Sequence, residues 1–150
     1  MDNLASMFWN QGRWEEAELL FMQVIETSKS KLGADHPDML TSMANLASTY
    51  RKQGRWEEAE SLEVQVMETR KSKLGTDHPD TLTSMNNLAF TFKGRGEVEK
   101  ATGLMEKCVE KRKQVLGPNR PDTINSKETL DRWRIKALEL GSNNEFPLVS

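Results

Sequence analysis

The chain has 150 residues, enough for one domain with a buried core and too few to expect two. Hydrophobic residues make up 36% and charged ones 29%, and 21 basic against 23 acidic residues leave a net charge of -2, so no overall field draws the protein to nucleic acid or to a membrane surface. The lone cysteine, Cys108, rules out an internal disulfide framework and fits a reducing compartment, with the cytoplasm the expected location; no apolar run nears the roughly 20 residues of a membrane span, and the N-terminus lacks the layout of a secretory signal.

Slid along itself by about 42 residues, the sequence falls into register three times, with a degraded fourth unit. Asn3-Leu4-Ala5 returns as Asn45-Leu46-Ala47 and Asn87-Leu88-Ala89. The stretch from Gln11 to Glu18 returns residue for residue from Gln53 to Glu60. Leu32-Gly33 returns as Leu74-Gly75 and Leu116-Gly117, and His36-Pro37-Asp38 as His78-Pro79-Asp80 and then Arg120-Pro121-Asp122. Between the first two units most aligned positions are identical, so duplication is the simplest explanation.

In chain order, the first unit begins inside a helix. Met1 aligns with Met43 and Met85, so a first helical turn is missing, the chain reads as a fragment of a longer array, and the uncapped apolar side invites self-association. The second unit shows the full pattern of two helices and a tight turn. Helix A starts at Pro37, a residue suited to a first helical position, with Asp35 and Asp38 placed to accept from the free N–H groups. Leu40, Met43, Leu46, Ala47 and Tyr50 form its apolar stripe, and Gly54 ends it. Helix B has Glu57, Glu58 and Glu60 in or near its first turn and Lys71 and Lys73 in its last, the order that the helix dipole favours. Its stripe is Trp56, Ala59, Leu62, Val66, Met67 and Leu74, and Gly75 follows the last turn. Ala47 and Ala89 are expected to face Ala59 and Ala101 across close helix crossings. The fourth unit keeps Pro121, Asp122, Ile124 and Leu130 but carries Asp131 and Arg134 where alanine and an aromatic are expected. It reads as a capping helix with Leu130 and Trp133 turned inward. The predicted fold is all-α, a right-handed α-solenoid of antiparallel hairpins. Repeats lie at about 1–33, 37–75 and 79–117, a capping helix at 121–140 completes an array over 1–140, and residues 141–150 form a mobile tail.

The order Leu-Ala, aromatic, Gly, aromatic, Ala, then Leu-Gly with His-Pro-Asp at this period resembles the long tetratricopeptide repeat of kinesin light chains. It is closer still to the arrays of fungal nucleotide-binding signalling receptors, which Thr81 to Ala89 and Leu104 to Cys108 resemble. The resemblance covers about residues 1–135. It implies a superhelix that binds proteins or peptides without catalysis, cofactor or metal.

The residues themselves point away from chemistry. His36 and His78 sit in equivalent loops as helix-start residues, and neither has the three or four convergent ligands that zinc needs. Cys108 aligns with Val24 and Val66, which marks a small core position. No glycine-rich phosphate loop with a following Lys-Ser/Thr is present. The glutamate runs Glu15 to Glu18 and Glu57 to Glu63 read as a solvated outer face, and Trp14 and Trp56 as wedges between hairpins. The candidate binding surface is the inner face of the A helices. Asn45, Ser48, Arg51 and Lys52 project there from the second unit, and Asn87, Phe90 and Lys93 from the third. The first unit adds Asn3, with Ser6, Trp9 and Asn10. An asparagine per rung can match an extended backbone, and Arg51, Lys52 and Lys93 favour a partly acidic partner. The resemblance also places the matching asparagine in the groove of kinesin light chain-type repeats. The alternative function is self-assembly or ligand sensing within a larger signalling receptor.

Overall fold

Helices begin and end where the sequence punctuates them. The structure, a computed structural model, describes residues 14–33 and 36–149, apart from the side chains of Trp14, Leu32 and residues 140–149. Its helices are α1 (Trp14–Leu32), α2 (Pro37–Lys52), α3 (Trp56–Leu74), α4 (Pro79–Gly94), α5 (Val98–Leu116) and α6 (Pro121–Val149). No strand occurs among the described residues. The A helices are α2, α4 and α6, each opening at a proline; α1, α3 and α5 are the B helices.

The caps differ in one respect from expectation. At the start of α2 the His36 Nδ1 accepts the Asp38 N–H at 3.1 Å, and His78 does the same for the Asp80 N–H of α4 at 3.1 Å. The sequence reading assigned this role to Asp35 and Asp38. Asp38 is instead the residue whose N–H is capped, its charge lying in the first turn where the dipole favours it, while Asp35 lies outside the described residues. A ring nitrogen two residues back reaches the free N–H as a serine or aspartate oxygen does elsewhere.

The ends of the helices are set by glycine. Gly33, Gly54, Gly75, Gly96 and Gly117 all have positive φ, between 77° and 103°, and stand 21 residues apart, half the repeat. At Gly75 and Gly117 ψ is 159° and 156°, a backbone region open in practice only to glycine.

Each helix packs on its neighbours in sequence, and α2 also touches α4, so the A helices lie side by side. Ala47 with Ala59 and Ala89 with Ala101 are fully buried in shared clusters, the close crossings expected of small residues. One pair of linked clusters joins α1, α2 and α3 through Ile25 and Leu62. A further cluster joins α4, α5 and α6 through Leu82, Met105, Cys108, Leu130 and Trp133. Leu130 and Trp133 thus turn inward as expected of a capping helix.

Polar contacts also repeat across the joints. Arg70 donates to Ser84 Oγ at 2.9 Å and to the Asp80 carbonyl at 3.4 Å. One repeat later Arg112 donates to Ser126 Oγ and, at 3.2 Å, to the Asp122 carbonyl. Each arginine fastens a B helix to the start of the next A helix. Ion pairs tie the other end: Arg55 Nη1 bonds Glu18 at 2.8 Å and Arg95 bonds Glu60. In the third unit the arginine has moved within the turn, Gln53-Gly54-Arg55 becoming Arg95-Gly96-Glu97, and the bond to the preceding B helix is kept.

Three expectations are corrected. Leu74, placed in the α3 stripe, is 43% exposed, because it borders an open cleft beside the starts of α2 and α4. Glu63, placed on the solvated face, is 4% exposed, and Glu18 and Glu60 are largely covered by their arginines. The final helix, α6, runs on to Val149 beyond residue 140, where the capping helix was expected to end. Arg134, which stands where an aromatic is expected, pairs with Glu106 of α5 at 2.7 Å.

Candidate peptide-binding face

Residues three apart on a helix share a face, so Asn45, Ser48 and Arg51 line up on α2, and Asn87, Phe90 and Lys93 on α4. Asn45, Ser48, Asn87 and Lys93 are half-buried, and Lys52 is exposed. Arg51 lies along its helix and donates from Nη2 to Ser48 Oγ at 3.2 Å. Phe90 is exposed, yet its ring meets Trp133 of α6 edge to face, with centroids 5.4 Å apart and planes at 82°. Such a pair fixes the exposed ring from behind. The structure therefore brings Ser48 to Arg51 and ties Phe90 to α6. Asn3, with Ser6, Trp9 and Asn10, lies outside the described residues.

Beneath this face is a group that the sequence reading missed. Glu63 of α3 is buried where α2, α3 and α4 meet. The Thr91 hydroxyl donates to its Oε1, and Arg51 Nε stands 4.0 Å from Oε2. Burial pushes the Glu63 carboxyl up to about 7, against the opposing pull of Arg51 and the Thr91 hydroxyl and with a small push from Glu60. Arg51 Nε is itself buried without a hydrogen-bond partner. The equivalent positions one repeat away are Phe21 and Met105, both buried. Only a carboxylate standing where the sister repeats hold hydrophobes signalled the site in the sequence.

Other concave features carry less. A cleft between the starts of α2 and α4 and the end of α3 is lined by His36, Leu40, Arg70, Leu74 and His78, but the histidines cap helices and Arg70 is held by Ser84. Cys108 is fully buried, its thiol donating to the Leu82 carbonyl at 3.4 Å, and burial pushes the thiol up, which makes it unreactive. Among the described residues no group of three or more metal-binding side chains converges, and no helix is long and apolar enough to cross a membrane.

Known proteins place the array. Two family profiles, each described as tetratricopeptide repeat, match residues 1–72 and 81–122. Comparison with curated proteins gave no match. Among solved structures, the kinesin light chain nearly identical TPR-like repeats of Podosopora anserina superpose with a TM-score of 0.80 at 30% identity, over 88% of this chain and 63% of that one. A single-substitution variant of the same protein gives a TM-score of 0.80 at 30% identity, over 88% of this chain and 62% of that one. BtubC (BKLC) of P. vanneervenii shares the fold, with a TM-score of 0.72 at 19% identity over 93% of this chain and 63% of that one. The chain thus spans a little under two thirds of each of these structures. Tetratricopeptide repeats form a scaffold family that generally mediates protein–protein interaction. Residues 1–72 and 81–122 are thus tetratricopeptide repeats, in an all-α fold similar in structure to kinesin light chain-like repeats.

Proposed function

We propose that the face shared by α2 and α4 holds an extended, partly acidic segment of another protein. The observation that carries this reading is a pattern present on both neighbouring A helices: an asparagine followed six residues later by a cation, Asn45 with Arg51 and Asn87 with Lys93. The asparagine amide offers a donor and an acceptor to an extended backbone. The cations, with Lys52, attract acidic side chains, and Phe90, backed by Trp133, offers an apolar seat between the rungs. In the sequence Asn3 aligns with Asn45 and Asn87. A lone buried cysteine suits a reducing compartment, and the cytoplasm is the setting proposed.

Arg51 is a poor choice for the test, since reversing its charge would set a second carboxylate beside Glu63. The variant to make is Asn45→Ala with Asn87→Ala and Lys93→Glu, measured against a peptide array of graded glutamate content. Capture of the acidic peptides should weaken at least about tenfold, the loss of roughly 1.4 kcal/mol or more, with helicity and melting unchanged. Undiminished capture overturns the reading.

A second reading is favoured by apolar side chains on the first and last described helices. Leu19 and Met22 are exposed on α1, and Ile135 and Leu138 on α6, patches that suit end-to-end association within a larger signalling receptor. Size measured across a dilution series separates the two: concentration-dependent oligomers that survive the triple variant support assembly.

A further inference from the structure

Glu63 is an expensive group to keep. A carboxylate buried among hairpins costs stability unless well paired, and the same position is filled by Phe21 and Met105 in the flanking repeats. Its surroundings supply incomplete pairing. On the α2 side the charged group is Arg51, whose Nε has no hydrogen-bond partner and whose distance of 4.0 Å from Glu63 Oε2 is an ion pair without a bond. From α4 comes the Thr91 hydroxyl, and Arg95, just past that helix, is occupied by Glu60. On α3 itself the other nearby carboxylate is Glu60. Arg51 therefore faces two ways. It borders the buried carboxylate on one side and lies beside Ser48 on the candidate binding face on the other.

We infer that Arg51, Glu63 and Thr91 form a proton-linked receptor for a carboxylate: an acidic side chain of the bound segment engages Arg51, and Glu63, losing its counter-charge, takes up a proton from solvent. The inference rests on the acidic-segment reading of the face and deepens it. The direction follows from electrostatics alone. Whether Arg51 swings toward the ligand or stays, a second carboxylate beside it adds like charge to Glu63 and divides the arginine's attraction, and both effects favour the neutral acid. Neutral Glu63 keeps a partner, since its protonated oxygen can donate where it could only accept before and the Thr91 hydroxyl can turn. Because burial already holds the Glu63 carboxyl up to about 7, the exchange falls within the ordinary working range of pH.

By linkage, a proton taken up on binding makes affinity fall as pH rises. The probe is a short end-capped peptide of alternating glutamate and leucine, whose own carboxylates are ionised throughout. Titration calorimetry of the full chain near pH 7.5, repeated in buffers of different ionisation enthalpy, counts the protons. The expected result is uptake of about half a proton or more per peptide, with affinity weakening toward tenfold per pH unit between about pH 7 and 8.5. In Glu63→Gln, and in Glu63→Met which copies Met105, the uptake should vanish and affinity should lose its pH dependence. Peptide binding without proton uptake, or uptake undiminished in both variants, overturns the inference and leaves the acidic-segment reading standing. Failure of the wild-type chain to bind the peptide overturns that reading, and the inference with it.

Discussion

The indole ring of Trp56, at the start of α3, lies against Gly94, the last residue of α4, so closely that a β-carbon on Gly94 would collide with the six-membered part of the ring. Gly94 is a glycine for lack of space, since it is absent from the glycines of positive φ. Gly94→Ala should therefore cost about 1–3 kcal/mol through forced movement of the ring, although alanine is the better helix former. With Trp56→Ala in the same chain the sign should reverse, and Gly94→Ala should then stabilise by up to about 1 kcal/mol. Thermal melts of the four proteins test this; a stabilising Gly94→Ala beside an intact Trp56 would show that the ring yields freely.

Glu63 should make stability fall with rising pH. Its folded value of about 7 lies above the ordinary 4.5, so between those values the folded chain holds a proton that the unfolded chain has released. The stabilisation is greatest at and below about 4.5, declines as pH rises to about 7, and stays flat beyond, a change of about 3 kcal/mol at 1.36 kcal/mol per unit. Glu63→Met should remove this slope and stabilise the chain at about pH 8 by roughly 1–3 kcal/mol. Denaturant unfolding of both proteins at about pH 5 and 8 checks it, the difference between them cancelling all other titrations.

Arg112 should matter more than its surface chemistry suggests. It is 6% exposed and serves both Ser126 and the Asp122 carbonyl, while Ser126 donates onward to Asn86 Oδ1 at 3.0 Å. Arg112→Ser, which copies Ser28 of the first repeat, should cost about 1–3 kcal/mol by leaving those acceptors unpaired. Arg112→Lys should recover only part of that, since the lysine ammonium ends one atom short of the Nη1 that serves both acceptors. Amide exchange should show the loss concentrated in α6, the helix that Arg112 fastens; evenly spread exchange would contradict the local role.

Most of the architecture was legible because it is written in spacing. The proline and glycine positions, the alanine pairs and the inward Leu130 and Trp133 follow from a repeated pattern whose physical meaning is fixed by helix geometry. The residues proposed for binding, Asn45, Ser48, Arg51, Asn87, Phe90 and Lys93, fall on the A helices as their spacing requires. Departures from the repeat were less legible. Glu63 looked solvated because three neighbouring glutamates share its segment, and only alignment with Phe21 and Met105 sets it inside. The cap by His36 was hidden by two aspartates with stronger capping tendencies. The Arg70 and Arg112 fastenings join residues 14 apart, a separation that neither helical periodicity nor turn chemistry marks.

The even placing of the five positive-φ glycines constrains how such a chain can change its length. One residue inserted within α3 would rotate everything after it by about 100° relative to what precedes, carrying Val66 and Met67 off the seam and Arg70 away from Ser84. Shifts smaller than a full unit therefore break the joint that spans them, whereas the addition or removal of a whole 42-residue unit returns each side chain to a familiar neighbour. Growth and shrinkage by entire hairpins is the one route that preserves continuity, and the identical stretches at Gln11 to Glu18 and Gln53 to Glu60 are the record such a route leaves.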